Sequence, residues 1–488
     1  MKRLLMGISA VALAAAASVP ALGVVSQGTF RMGADAAWAR GIDGAGTRVA
    51  VLDMGFGGLD ESIAAGELPP RDQMEVRSFD AVNGLEGRDN LGAPTQHGTR
   101  MAEIVRDVAP GARLVLVNYA DINGFLQATD WIAANGIPVV NHSNSILGGP
   151  FDGTGALARA VDSAAARGVL WVNSGGNFAE RHWRGVPSPA GTELLIAPQP
   201  GETIAFGLGW NDPALAAVLS VQRQQPDGSW TEVEASDATR RTKPVAVDGG
   251  AWRLVVTRTA GPDAPVDVFS RTVGFGTLAV PDGSVATPAD AAGALAVGAV
   301  PWQDTEPAKY SSRGPTQDGR AKPDLVGPTY VTANVLFPGT AGTSAASAHV
   351  AGVAALVRDE RAALGQPNDV ASLRADITGR ARDLGAEGPD AGTGAGMARY
   401  DVVPPRIALT ASPGLRSTVR IRAFDAGTMQ SVSLSVNGRA IRTAPGPHMR
   451  QPVSLRKGRN RVEVTARDLA GNESVVRRVL VRREAPRR

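Results

Sequence analysis

Three residues of this 488-residue chain carry the groups that nucleophilic catalysis requires: Asp53, His97 and Ser344. Ser344 lies in Gly342-Thr343-Ser344, directly before the small-residue stretch Ala345-Ala346-Ser347-Ala348-His349-Val350-Ala351-Gly352, which predicts a long helix. A hydroxyl at a helix start sits beside unpaired N–H groups and the positive end of the helix dipole. Those surroundings suit a nucleophilic alkoxide and a developing oxyanion. They suit an ordinary capping serine equally well. What tilts the reading toward chemistry is the company of an imidazole able to take a proton and a carboxylate able to hold that imidazole's tautomer and stabilise its cation.

The elements that must position these groups are legible nearby. The apolar run Val49-Ala50-Val51-Leu52 ends in Asp53, the pattern of a buried parallel strand with a carboxylate at its C-terminal edge. Catalytic groups of open α/β sheets gather at that edge. His97 opens a predicted helix that ends before Pro110, and a strand follows over 112–117. From about residue 48 to 178, apolar runs alternate with Ala-rich segments, including a helix over 156–167 and a strand over 169–172. This is the βαβ pattern of a parallel sheet.

Val51-Leu52-Asp53-Met54-Gly55, His97-Gly98-Thr99 and Gly342-Thr343-Ser344-Ala345-Ala346, with His349 following, resemble the motifs of the subtilase family, the subtilisin-like serine peptidases, in that family's Asp, His, Ser order. Val172-Asn173-Ser174-Gly175-Gly176-Asn177 is similar to the family segment whose last asparagine supplies an oxyanion-hole amide. Tyr310-Ser311-Ser312-Arg313-Gly314-Pro315, through Lys322-Pro323-Asp324, also resembles subtilase sequence. The resemblance covers roughly residues 28–178 and 285–400. It implies an α/β fold, a subtilisin-like parallel sheet flanked by helices, and a serine endopeptidase acting on polypeptides through an acyl-enzyme. His97 would be the base, Asp53 its orienting carboxylate, and Asn177 with the Ser344 N–H the oxyanion donors. The stretch Asn141 to Pro150 resembles the family's substrate-binding edge. That implicates Leu147, Gly148 and Gly149 in pairing with an extended substrate, with Gly175 and Gly176 on the facing wall. The local spacing departs from the family pattern by a few residues.

Two further features depart from the family. Met54 stands where subtilases usually carry threonine or serine, which removes a hydroxyl beside Asp53. About 25 residues separate the expected leader cleavage from the first catalytic strand, too few for a packed propeptide domain. No such propeptide is expected. His142 and His349 read as structural or local hydrogen-bonding residues, and His182 and His448 show no partner pattern. No group of residues has zinc-ligand spacing, so no metal site is assigned. No cofactor is expected; structural calcium occurs in many subtilases, but no calcium loop is readable here.

Composition divides the chain. Lys2 and Arg3 precede an apolar stretch ending at Ala21-Leu22-Gly23, the form of a secretory signal peptide over 1–23. A secreted or cell-envelope (periplasmic) location follows. No cysteine is present, so stability rests on packing without disulfides. Residues 24–178 and 285–402 read as two parts of a catalytic domain. Strand-turn-strand units over 179–284 read as an inserted β-sandwich, whose ends flank the site and could shape its groove. Residues 403–488 alternate at period two around an Asn437-Gly438 turn and resemble an Ig-like module of about seven strands. That module holds 18 Lys and Arg against 5 Asp and Glu, while the whole chain is only +3. Nucleic acid is therefore not an expected partner. The basic excess is either a solvated face on a spacer or a contact for an anionic cell surface. The rival reading of the whole chain is a non-catalytic surface-binding protein on a subtilase scaffold, which Met54 and the short leader-to-strand segment favour.

Overall fold

The computed structural model describes residues 23–333, 339–412 and 416–482. The signal peptide expected over 1–23 falls, but for its last residue, outside them.

The apolar runs form a seven-stranded sheet. Its strands are β1 (Arg48–Asp53), β2 (Glu75–Phe79), β3 (Arg113–Tyr119), β4 (Val139–His142), β5 (Leu170–Ser174), β6 (Ala294–Pro301) and β7 (Leu325–Thr329). The spatial order is β7-β6-β5-β4-β1-β3-β2, and every neighbouring pair is parallel. The expected parallel sheet flanked by helices is therefore present. Period-two alternation sends the residues of β1 to two cores. Val49 and Val51 pack with α1 (His97–Val108) and α4 (Thr343–Ala363) on one face. Ala50 and Leu52 pack with α2 (Ile122–Ala134) and α3 (Ala156–Ala166) on the other. The chain order changes direction between β1 and β4, so their carboxyl ends border the crevice where open α/β sheets hold ligands.

Small residues in α4 let it lie deep. Its first fifteen residues, Thr343 to Val357, are all buried. Gly352 touches α1 so closely that a Cβ there would stand 2.5 Å from the Val108 Cβ. This close approach, at the end of α1 opposite His97, sets how α1 lies along α4.

Between β5 and β6 the chain builds antiparallel sheets around one apolar cluster containing Trp183, Leu219, Trp252 and Val268. After residue 405 two further antiparallel sheets of three and four strands enclose Val419, Val432 and Val464. The Asn437-Gly438 turn joins two of these strands with both residues at positive φ, 53° and 79°. Among the described residues no helix is long and apolar enough to cross a membrane.

In an open helix interior, Gly→Ala stabilises by about 1 kcal/mol. At Gly352 the added methyl overpacks the α1–α4 crossing, a change that costs about 1–3 kcal/mol. Gly352→Ala is therefore expected to lower, not raise, the denaturation midpoint.

Candidate active site

Asp53 ends β1 and is fully buried. Its Oδ1 accepts from the Met54 N–H at 2.8 Å, and its Oδ2 lies 2.7 Å from His97 Nδ1. Burial alone pushes the carboxyl up. The charge and hydrogen bond of His97 outweigh that, with smaller help from the Asn144 side chain and the Met54 N–H, and hold Asp53 below its ordinary value. The Asn144 amide lies near the carboxylate without meeting hydrogen-bond geometry. Met54 therefore serves Asp53 through its backbone N–H, which any residue but proline supplies, and its side chain joins the apolar core.

His97 is the first residue of α1, and its N–H donates to Thr95 Oγ1 at 3.1 Å. The next residue has to be small: a Cβ on Gly98 would come 2.9 Å from the Asp53 Cβ and 2.7 Å from the Gly55 carbonyl oxygen. With glycine there, the helix start docks on the strand end, and the Gly98 N–H donates to Gly55 at 3.0 Å. Burial disfavours the imidazolium, but the Asp53 charge and hydrogen bond prevail over it and over Arg100, and raise the His97 pKa. The imidazole keeps about 33% of its surface exposed, facing a cavity of about 190 Å³ that Ser344 also lines.

Ser344 lies in the first turn of α4. Its hydroxyl donates to the Ser143 carbonyl at 3.0 Å, and among the described residues it makes no hydrogen bond to His97. Asn177 stands on the other side. Its Oδ1 accepts from the Thr343 N–H at 2.9 Å and from Thr343 Oγ1 at 3.0 Å. Those donors fix the amide's orientation and leave Nδ2 as the end free to face the cavity. A Cβ on Gly342 would meet Asn177 Nδ2 at 3.1 Å and the Ser344 nitrogen at 3.7 Å. The gap between these two donors is open because residue 342, at φ 102°, has no side chain.

The wall residues divide. Gly176 lines the cavity, with its N–H on Thr343 Oγ1 at 3.2 Å. Gly175 instead continues the sheet, donating to Val297 at 2.8 Å. Leu147, Gly148 and Gly149 are not brought to the cavity. Leu147 is buried with Phe151, Phe178 and Phe269. The Gly149 N–H is taken by Leu208 at 3.0 Å, and Gly207 packs directly on Leu147 and Gly148. A strand of the insert, Phe206–Gly209, thus occupies that edge. Ser143, Asn144 and Ser145 line the cavity in its place. Their sequence signal was position, since they follow β4 immediately and so extend from its carboxyl end.

Two arginines from the insert complete the wall, and nothing in the sequence marked them. Arg271 Nη1 donates to the Ser145 carbonyl at 3.2 Å, and Arg181 Nη1 donates to the Arg271 carbonyl. Among the described residues neither guanidinium has a carboxylate within ion-pair distance. Burial lowers Arg271 to about 10, so it stays charged at neutral pH. The other histidines lie outside the cavity. His142 bridges Tyr119 and Asn173, His349 meets Ser26 at 2.7 Å, and His182 is buried against Asp267 at 2.8 Å. That last partner was invisible at a separation of 85 residues.

A model of the subtilase family matches residues 44–396. Alkaline elastase YaB of Bacillus sp. (strain YaB) is 29% identical over 176 residues, 33% of this chain and 42% of that protein. M-protease of Shouchella clausii (strain KSM-K16) is 30% identical over 263 residues, 45% of this chain and 64% of that one. Minor extracellular protease Vpr of Bacillus subtilis (strain 168) is 26% identical over 392 residues, 68% of this chain and 48% of that one. The chain thus spans between 42% and 64% of the length of these three relatives. Among solved structures, the Clostridium perfringens CspB protease has the same fold, with TM-score 0.53 and 17% identity over 76% of this chain and 96% of that one.

The Asp53–His97 pair makes a direct prediction. Replacing the carboxylate by an amide removes the charge that raises the imidazole and leaves burial, which lowers it. In Asp53→Asn the His97 ring resonances are expected to titrate at lower pH than in the wild type, where the carboxylate raises them. An unchanged midpoint by NMR titration would contradict the coupling.

Proposed function

This chain belongs to the subtilase family, and on that premise we propose that it is an exported serine endopeptidase working through Asp53, His97 and Ser344. The observation that carries this reading is the 2.7 Å contact of His97 Nδ1 with a buried carboxylate, beside a cavity that Ser344 shares. With Nδ1–H engaged, Nε2 is the free base. The reaction requires the Ser344 hydroxyl to turn from the Ser143 carbonyl toward that nitrogen. Catalytic hydrogen bonds commonly tighten only when substrate arrives. Oγ then attacks the peptide carbonyl as Nε2 accepts the proton, and Asp53 offsets the imidazolium charge. The oxyanion forms between Asn177 Nδ2 and the Ser344 N–H. Its collapse expels the amine, which takes the proton from Nε2. Water, deprotonated by the same nitrogen, cleaves the acyl-enzyme and restores the serine.

The backbone of Ser143 to Ser145 is the edge along which an extended polypeptide would align. Arg181 and Arg271 set the preference of the cavity, because an acidic substrate side chain supplies the counter-charge that two partly buried guanidiniums lack. The expected leader, and a relative whose name describes it as extracellular, support export. The Ig-like reading of the C-terminal module rests on its seven strands, and its basic face on 18 cationic against 5 anionic residues. The contact of that face with an anionic surface belongs to the same proposal. The turn of the Ser344 hydroxyl toward Ser143 favours the rival, a binding protein without turnover.

A fluorophosphonate probe separates the two. It is expected to label the wild type and not Ser344→Ala; a folded wild type that takes no label would favour the binding protein. In a labelling enzyme, Asn177→Ala is expected to keep the fold and lose about 10²–10³-fold in kcat. Peptides with glutamate before the scissile bond are expected to be cut faster than those with lysine. Arg271→Met is expected to shrink that preference by about tenfold, which corresponds to about 1.4 kcal/mol. Equal cleavage of both peptides by the wild type would remove the specificity reading and leave the peptidase reading standing.

A further inference from the structure

The C-terminal sandwich meets the α/β unit on carboxylates. Asp401 closes the α/β unit, Asp425 follows the strand Arg416–Phe424, and Asp468 ends the strand Gly458–Asp468. One oxygen from each lies within 4.8 Å of the others. Asp401 and Asp468 are each 1% exposed. Asp35, from the short helix Ala34–Trp38, lies at the margin of this set: a Cβ on Gly427 would have Asp401 Oδ2 at 3.4 Å and Asp35 Oδ1 at 3.5 Å.

The oxygens can be accounted for one by one. Asp468 is held by the Asn472 N–H at 2.8 Å and the Asn472 side-chain amide at 2.9 Å. Asp401 Oδ1 accepts from Val403 at 3.1 Å, Asp425 Oδ1 from Gly427 at 3.2 Å, and Asp35 Oδ2 from the Thr428 N–H at 2.7 Å. That leaves Asp401 Oδ2, Asp425 Oδ2 and Asp35 Oδ1, each buried and each without a hydrogen-bond partner. Nearby guanidiniums point elsewhere. Arg31 donates to the Leu469 carbonyl at 3.2 Å, Arg399 to Asn472 Oδ1, and Arg40 pairs with Glu360 at 3.7 Å. Among the described residues no cationic side chain lies within ion-pair distance of Asp35, Asp401, Asp425 or Asp468.

Buried acceptors that converge without donors need a proton or a cation. An all-oxygen donor set drawn from a strand end, a short helix and two loops suits a hard divalent ion that tolerates irregular geometry. Oxygens within 4.8 Å of one another are close enough to share one ion at Ca–O bonds of about 2.4 Å. Magnesium, with shorter bonds and a strict octahedron, fits such a spread set less well.

We propose that Asp401, Asp425 and Asp468, together with Asp35, bind one calcium ion that clasps the C-terminal sandwich to the α/β unit. Asp35 and Asp401 come from one side of the joint, Asp425 and Asp468 from the other. The protein links already across it, the Thr428 N–H to Asp35 and the Asn472 side-chain amide to the Asp401 carbonyl at 3.2 Å, shape the loops around the ion. The chain between the two bodies, Val402 to Pro405, is the segment that such a clasp would immobilise.

The test uses the full chain in a Ser344→Ala background, which prevents self-digestion, stripped with EDTA and titrated with calcium chloride. Calorimetric titration is expected to count one more calcium in this parent than in the same chain carrying Asp425→Asn. Saturating calcium is expected to raise the melting of the C-terminal module by about 5 °C or more in the parent, and not in Asp425→Asn. Calcium bound elsewhere affects both chains alike and cancels. The melting of Asp425→Asn in EDTA reports whether it folds. If it does not, Asp35→Asn, on the other side of the joint, is read in the same way. A parent whose melting ignores calcium, or equal stoichiometry and equal shifts in parent and folded variant, overturns the proposal.

Discussion

A carboxylate shut away from water at the end of β1 constrains everything around it. Asp53 has no exposed surface, so its charge must be matched by groups that the fold delivers. The main match is the imidazole of His97 at 2.7 Å, with the Met54 N–H at 2.8 Å as a second donor. That requirement sets the docking of α1. The helix start must press against the strand end, which needs Gly98, and the helix body must hold against α4, which needs Gly352. The same close crossing carries Ser344 to the mouth of the same cavity. One electrostatic demand and two missing side chains therefore organise the centre of the molecule.

The insert between β5 and β6 changes what surrounds that centre. It covers the edge at Leu147 to Gly149 and buries Leu147 among aromatic rings. It also delivers Arg181 and Arg271 to the cavity wall. An α/β scaffold with a glycine-rich edge thus becomes a site whose polar lining comes from Ser143 to Ser145 and whose charge comes from the insert. The arginines hydrogen-bond to backbone carbonyls, which orients them and leaves their charge uncompensated. The charge on the cavity wall thus comes from a different part of the chain from Asp53, His97 and Ser344.

The C-terminal joint follows the opposite electrostatic pattern. The sandwich is strongly basic overall, yet it meets the α/β unit through carboxylates. Basic side chains at the joint are spent on carbonyl oxygens and on Asn472, which turns its amide toward Asp468. The unmatched oxygens left over are a property of the assembled joint, since neither body has the full set alone.

Much of this was legible in the chain. The β1 run ending in Asp53, the helix opening at His97 and the small-residue helix at Ser344 are local patterns, because periodicity and end signals act over a few residues. Those patterns sufficed for the parallel sheet and for placing Asp53, His97 and Ser344 at element ends, whereas Asn177 was singled out through the family resemblance of its segment. They did not suffice for the edge. Leu147, Gly148 and Gly149 carry the right residue types, but an insert strand more than fifty residues downstream lies on them, and sequence spacing holds no record of that. Arg181 and Arg271, 90 residues apart and joined through a carbonyl, gave no signal for the same reason. Asp35, Asp401, Asp425 and Asp468 are scattered over most of the chain and meet only when two bodies dock. The sequence by itself determined the elements and the reactive residue types, since both follow from short-range patterning. Tertiary structure alone decided which edges stay open and which charges stand unpaired, since both depend on what long-range packing brings or withholds.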